Sequence, residues 1–410
     1  MANRIKEKYM AGKRYFDYPM LFLVIFLICF GLVMIYSTSS YKSTVTYGNS
    51  YHWLLRQAVA IVLGAVAMVV CCKLDYRIIK SEKFGNGCYW ASIVLLVLVL
   101  IIGAAKKGAV RWISIAGFQF QPSEVSKILV VIYLANRLSA NAHKIRTFKD
   151  SIVIVLPTVP IIALIVTQNL STALVVCSMI GVMLFVVSPK MKELMLTAGG
   201  GIILLFVYLL TANSYRNERV QIWLHPESHK KGFQTMQALY AIGSGGIFGK
   251  GLGQSMQKMG FIPESHNDMI FSIICEELGL FGGIAVILIF LLLIWRLMII
   301  ANNASDLFGA LLVVGVLGHI AIQVILNVAV VTNSMPNTGV SLPFISDPVF
   351  ADRDGARHER CPRHQGPGCV MGYACIVLSP GAKKTSVLSG HGAAVQLHLS
   401  RVRYVCHSIG

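Results

Sequence analysis

The sequence predicts an all-α, polytopic transmembrane helix bundle. Three observations point there. Hydrophobic residues fill 55% of the 410 positions and charged residues only 13%. The apolar residues gather into runs of about 20, the length a helix needs to cross a hydrocarbon core about 30 Å thick. Many of the cations flank these runs, as the positive-inside bias requires. Although the formal net charge is +18, that placement argues against a nucleic-acid partner.

Nine spans can be read in order: Tyr18–Ser37, His52–Cys72, Gly87–Ala105, Glu124–Leu138, Ser151–Gln168, Ser171–Ser188, Leu194–Ala212, Met269–Ile300 and Leu307–Val331. The fourth is short and polar, and hydropathy alone does not carry it. Lys73, Arg77, Lys80 and Lys83 follow the second span; Arg137, Lys144, Arg146 and Lys149 follow the fourth; Lys190 and Lys192 follow the sixth. Those loops are expected in the cytoplasm, together with the N-terminus. The connection Asn213–Asp268 then becomes a large extracytoplasmic loop between spans seven and eight, because long loops cross largely regardless of charge. The basic start (Arg4, Lys6, Lys8, Lys13, Arg14) leads into a full-length span without a small-residue cleavage site, so no cleavable signal is expected. Ten cysteines show no zinc spacing, and six of them lie in or beside apolar helices, where Cys acts as a small hydrophobe.

The long outer loop organises the chain. It carries Trp223 and Pro226, the Gln234/Gln237 pair, Ala241-Ile242-Gly243-Ser244-Gly245-Gly246 and Gly249-Lys250-Gly251-Leu252-Gly253. It enters the eighth span through Pro263-Glu264-Ser265-His266-Asn267-Asp268. An earlier outer loop holds Gly108-Ala109-Val110-Arg111-Trp112-Ile113, then Gln121-Pro122-Ser123-Glu124 and Lys127. These motifs, in this order, resemble the shape, elongation, division and sporulation (SEDS) family of FtsW/RodA/SpoVE type. The resemblance covers about residues 15 to 346, and it supplies the fourth span. It implies ten spans in intact relatives, against about nine convincing ones here, and leans to the division type. It further implies a multi-pass protein of the bacterial plasma membrane that polymerises glycan strands from lipid II and releases undecaprenyl pyrophosphate. The expected partner is a class B penicillin-binding protein, a transpeptidase. A divalent cation, Mg or Mn, is the expected cofactor, with no organic cofactor and no metal ligands assigned.

Asp268 is the leading catalytic candidate. Glycan polymerisation needs a base to take the proton of an attacking sugar hydroxyl, and a carboxylate at the membrane boundary suits that task. In the family the corresponding motif is H-T-D-F with an essential aspartate; here His266-Asn267-Asp268-Met269 keeps His and Asp. A structural alternative is a capping box, Ser265-x-x-Asp268, opening the eighth span. The resemblance places Arg111, Trp112, Glu124, Lys127, Gln237, Lys250 and His266 around the substrate. Without it, Arg111 and Trp112 read equally as an interfacial anchor, and Glu124/Lys127 as an i,i+3 ion pair. Glu276 and Glu277 are functional candidates as intramembrane acids, or partners of a basic residue on another helix. His319, Gln323 and Asn327 recur every four residues and form a stripe suited to holding helices together. Gly243–Gly251 only superficially suggests a phosphate loop: Ser244 and Gly251 stand where Walker A needs Gly and Ser or Thr. Lys250 and Lys258 can instead steer a pyrophosphate.

The tail breaks the pattern. After Asn337-Thr338-Gly339-Val340-Ser341-Leu342-Pro343-Phe344-Ile345-Ser346, relatives continue with a Tyr-Gly-Gly turn and a last apolar helix; here no full span follows. Four cysteines and five histidines crowd this end without a CxxC or HxxxH pair, which disfavours a zinc module. Asp352 to Arg360 can be encoded so that dropping one base yields an apolar Ile-Gly-Met-Gly-Leu-Ala-Met-Ser. We therefore expect residues 1–346 to be the membrane domain and 347–410 an out-of-frame tail. Two rival functions remain open on sequence: a lipid II flippase, and a non-catalytic scaffold for the transpeptidase.

Overall fold

The computed structural model describes residues 17–188, 220–259 and 267–346, apart from positions 74–75, 103, 107–108, 116–117, 146 and 230–231, together with Ile262 and a few residues between 192 and 200. The expected tail and most of the seventh span lie outside the described residues. Helix α1 (Tyr18–Tyr47) and α2 (His52–Lys73) pack as a hairpin, followed by α3 (Glu82–Ile102). Then come a small sheet and α4 (Pro122–Ala140), α5 (Phe148–Val155), α6 (Val159–Gln168) and α7 (Leu170–Val187). After the long loop's α8 (Phe233–Gly245) come α9 (Ile270–Asn302) and α10 (Leu307–Val331). Seven helical stretches are long and apolar enough to cross a membrane among the described residues. The protein is a multi-pass helical bundle.

Each boundary has a local cause. Asp17 accepts from the Met20 N–H at the start of α1, and Gly48, with φ 67°, stops it. The helix runs ten residues beyond the expected Ser37 because its last turns are polar but face inward: Ser37, Thr38, Ser39 and Ser43 are all buried. Thr147 and Asp150 form a capping box that opens α5. A 3-10 turn at Leu156–Thr158, containing Pro157, separates α5 from α6.

Helix α4 explains its own weak hydropathy. Almost every residue from Pro122 to Leu138 is at least half-buried, against α3, α7 and α10. A helix shielded from lipid on nearly all sides can carry Glu124, Lys127 and Arg137. By contrast, α2 presents Leu55, Val59, Val62, Leu63, Val66 and Val70 outward, as a helix at the lipid boundary does. At one face of the bundle, Asp17 meets Arg296 near the end of α9 (2.9 Å), and Lys80 meets Asp306 at the start of α10 (2.8 Å). Helix termini paired in this way put the long loop on the opposite face from these four residues.

That opposite face carries the sheet, an addition to the helical plan. Strands β1 (Ala104–Lys106), β2 (Ala109–Ile115) and β3 (Phe118–Phe120) form an antiparallel meander, with Ala104 opposite Trp112 and Ile113 opposite Phe120. After α10 the chain returns as a non-helical segment. Ser171 Oγ donates to Thr338 O (2.7 Å), and Val340, Leu342, Phe344 and Ile345 are buried. The segment passes so close to α1 that a Cβ at Gly31 would lie 2.6 Å from Phe344 O. Irregular backbone inside a membrane bundle is tolerated where protein surrounds it, as here.

Candidate active site

Helix α9 is broken. Gly279 has φ 72° and ψ −170°, a conformation open to glycine, and a Cβ there would lie 2.3 Å from both Gly249 N and Ile247 O. The break exposes backbone groups that the glycine-dense loop satisfies. Lys250 N donates to Glu276 O (3.0 Å) and Gly251 N to Glu277 O (2.9 Å); Leu280 N donates to Gly246 O (2.9 Å) and Phe281 N to Ile247 O (3.1 Å). The loop glycines let main chain approach main chain and stitch the loop into a split helix. Above the break, Ile270–Glu277 is wholly buried; below it, Leu280, Phe281, Ile284, Leu288, Leu291, Leu292 and Trp295 face outward.

Glu276 and Glu277 sit on the last turn before the break. Glu276 accepts from Lys250 Nζ (2.8 Å), Ser244 Oγ (3.4 Å), Met256 N (3.2 Å) and, by a short contact, Ser255 Oγ. Glu277 accepts from Lys258 Nζ (2.9 Å), and Ser37 Oγ lies 2.7 and 2.8 Å from its two oxygens. Lys258 Nζ also donates to Ser37 Oγ (3.1 Å). Both glutamates thus have basic partners, supplied by the long loop rather than by another spanning helix. Lys250 is engaged in holding the loop to α9.

Asp268 lies in the turn Asn267–Met269, just ahead of α9, and is 8% exposed. The N-cap of α9 is Met269 and has no side-chain cap. The Ser265-x-x-Asp268 capping box is therefore corrected: it would put Asp268 inside the first turn, whereas the helix starts after it. Asn327 Nδ2 donates to both Asp268 O and Val340 O, 2.8 Å each, clamping the turn to α10 and to the returning segment.

Asn327 ends a buried polar line. His319, Gln323 and Asn327 share one face of α10 and are essentially inaccessible. On α4, which packs against α10, Lys127 pairs with Glu124 at 2.9 Å, both buried. The structure thus brings together Asp268 and the α10 stripe, on a helix packed against the one that carries Glu124 and Lys127. Gln237 is half-buried on α8, which packs against α9. Arg111 and Trp112 belong to β2, but their side chains, like all of His266, lie outside the described residues. Sequence reasoning did not pick out Ser37 and Ser255; a polar run at the end of an apolar helix was the available signal for Ser37. Among the described residues no three His, Cys, Asp or Glu side chains converge as a metal site, and Glu276 and Glu277 are taken by lysines. These residues do not fit a metal site built by the protein.

Comparison with known proteins adds the wider frame. The family model for cell cycle proteins of the FtsW/RodA/SpoVE group matches residues 18–347. A probable peptidoglycan glycosyltransferase FtsW of Geobacter metallireducens is 37% identical over 341 residues, 81% of this chain and 89% of that protein. The stage V sporulation protein E of Bacillus subtilis is 36% identical over 340 residues, 80% of this chain and 91% of that protein. Among solved structures, one described as a peptidoglycan synthase complex coordinating polymerization and crosslinking aligns with TM-score 0.71 and 26% identity, covering 88% of this chain and 96% of the other. The rod shape determining protein RodA of Thermus thermophilus aligns with TM-score 0.62 and 26% identity, covering 89% and 95%. With one match running from the first residue of α1 past the returning segment, and the fold shared over nearly the whole length of these structures, the chain belongs to the FtsW/RodA/SpoVE family.

Proposed function

We propose that this protein is a peptidoglycan glycosyltransferase that extends glycan strands from lipid II, with Asp268 as the general base. The observation that carries the reading is a buried carboxylate at the mouth of α9, on a turn clamped from two sides through Asn327, in a chain whose relatives are named peptidoglycan glycosyltransferases. In the reaction, an acceptor sugar hydroxyl attacks the anomeric carbon of the lipid-linked sugar. The new glycosidic C–O bond forms as the bond to the pyrophosphate oxygen breaks, undecaprenyl pyrophosphate leaves, and Asp268 takes the hydroxyl proton. A carboxylate held in place by such a turn can take the proton as general base. Glu124, Lys127 and the α10 stripe shape the interior beside it, and Arg111, Trp112, Gln237 and His266 are assigned to substrate contact on family resemblance. No step is routed through a divalent cation. The N-terminus lies in the cytoplasm and the long loop outside, where a class B penicillin-binding protein cross-links the product.

Asp268→Asn tests the assignment, since it keeps size and shape and removes only proton acceptance. Purified variant and parent, at matched amounts, are given lipid II and the glycan product is measured. The expected rate loss is on the order of 10²–10⁴. Near-parental product would remove Asp268 as base and favour a flippase or scaffold, neither of which needs a base at this boundary.

A further inference from the structure

We infer that Lys258, Glu277 and Ser37 form a positioning device for Asp268, a non-covalent clasp that closes the loop carrying the base. The inference rests on the reading of Asp268 just given. Asp268 follows Lys258 by ten residues and precedes Glu277 by nine. The Lys258–Glu277 pair, at 2.9 Å, therefore ties together the two ends of a ring with Asp268 at its middle. Joining two points of a chain restricts the residues between them.

Three features make the clasp rigid. Its charged groups are out of water, with side chains 4% and 0% exposed. Ser37, from α1, bonds to both partners, so the clasp is fixed to the first spanning helix as well as to α9. From Glu277 back to Ile270 the chain is continuous α-helix, a stiff arm that carries the constraint to the turn holding Asp268. Asn327 holds that turn from the other side. A buried ion pair is a poor source of net stability compared with apolar packing, yet it fixes direction and distance, which a base needs. A displacement of about 1 Å at a reacting group can cost about a hundredfold in rate.

The test compares Glu277→Gln, Lys258→Met, Ser37→Ala and the exchanged pair Lys258→Glu/Glu277→Lys in the purified full-length protein, with lipid II as substrate. Thermal unfolding in detergent verifies that each variant is folded. Glu277→Gln and Lys258→Met are expected to lower kcat by about 10- to 100-fold, with KM within about twofold. Amide exchange across Asn267–Cys275 should become faster. The exchanged pair, which restores the ion pair in reverse, should recover at least about tenfold of that loss in kcat and slow the amide exchange again. Ser37→Ala, which removes a single hydroxyl, should show a smaller change in the same direction and serves if the charge variants do not fold. Unchanged kcat and unchanged exchange in Glu277→Gln, or in Ser37→Ala where that substitutes for it, would overturn the clasp and leave the base assignment standing. An active Asp268→Asn measured alongside would instead sink the base, while the exchange data still report on the ring. Failure of the exchanged pair to recover activity despite a normal fold would also overturn the clasp.

Discussion

Glu276 and Glu277 are neighbours in sequence, equally buried, and each faces a lysine from the same loop, yet their surroundings differ. The Lys250 side chain is 35% exposed; that of Lys258 is 4% exposed. Glu276 gathers two hydroxyls and a backbone N–H besides its lysine, so removing Lys250 leaves a carboxylate still bonded and a space that water can reach. Glu277 has one hydroxyl besides its lysine, and neither partner can turn to solvent. Adjacent residues of one type thus serve different ends: Glu276 gathers the loop, and Glu277 locks it.

The contrast can be broken by substitution. Glu277→Leu strands Lys258 in the interior, and it should destabilise the protein by about 3–5 kcal/mol. Glu277→Leu combined with Lys258→Met should regain most of that loss, because no charge is left buried. Thermal unfolding in detergent reads both, and a single-variant loss under about 1 kcal/mol would make the two glutamates equivalent. Gly279→Ala is expected to cost about 2–3 kcal/mol, since it forces a positive φ on alanine and pushes a methyl group onto the backbone of Ile247 and Gly249. A neutral result there would mean that the loop is not stitched to the helix. Lys250→Met should cost about 1 kcal/mol or less, as expected for an ion pair partly open to water. A loss as large as that of Glu277→Leu would erase the distinction between the pairs.

What could be read from sequence follows the physics of each element. Spans such as Leu170–Val187 and Leu307–Val331 announce themselves because lipid demands apolar length. The glycine-dense loop was legible as the stretch that organises the chain, although what its glycines approach, the backbone of a broken helix, was not. Nothing local in Leu278-Gly279-Leu280 marks a break, since the loop that satisfies its backbone lies some thirty residues earlier. Asp268 was legible as a residue of interest from its motif, but its relation to α9 was misjudged because a capping pattern also fitted. The Lys258–Glu277–Ser37 clasp was hidden for a similar reason: Ser37 is 240 residues from Glu277, and one sequence holds no record of such pairing.

The break in α9 also settles how the helix meets the bilayer. As one straight rod, its 33 residues would extend about 50 Å, well beyond a hydrocarbon thickness of about 30 Å, and would have to tilt steeply. Interrupted at Gly279, the outward-facing piece from Leu280 to Ile300 is about 31 Å long and matches that thickness unaided. The loop bonds to both pieces, to Glu276 and Glu277 above the break and to Leu280 and Phe281 below it, and holds them in fixed relation at the glycine. The upper piece, held by two lysines and by Asn327 at its entrance, keeps its bearing. Asp268 thus stands ahead of the upper piece, whose eight residues Ile270–Glu277 put about 12 Å of buried helix between it and the stretch that matches the hydrocarbon.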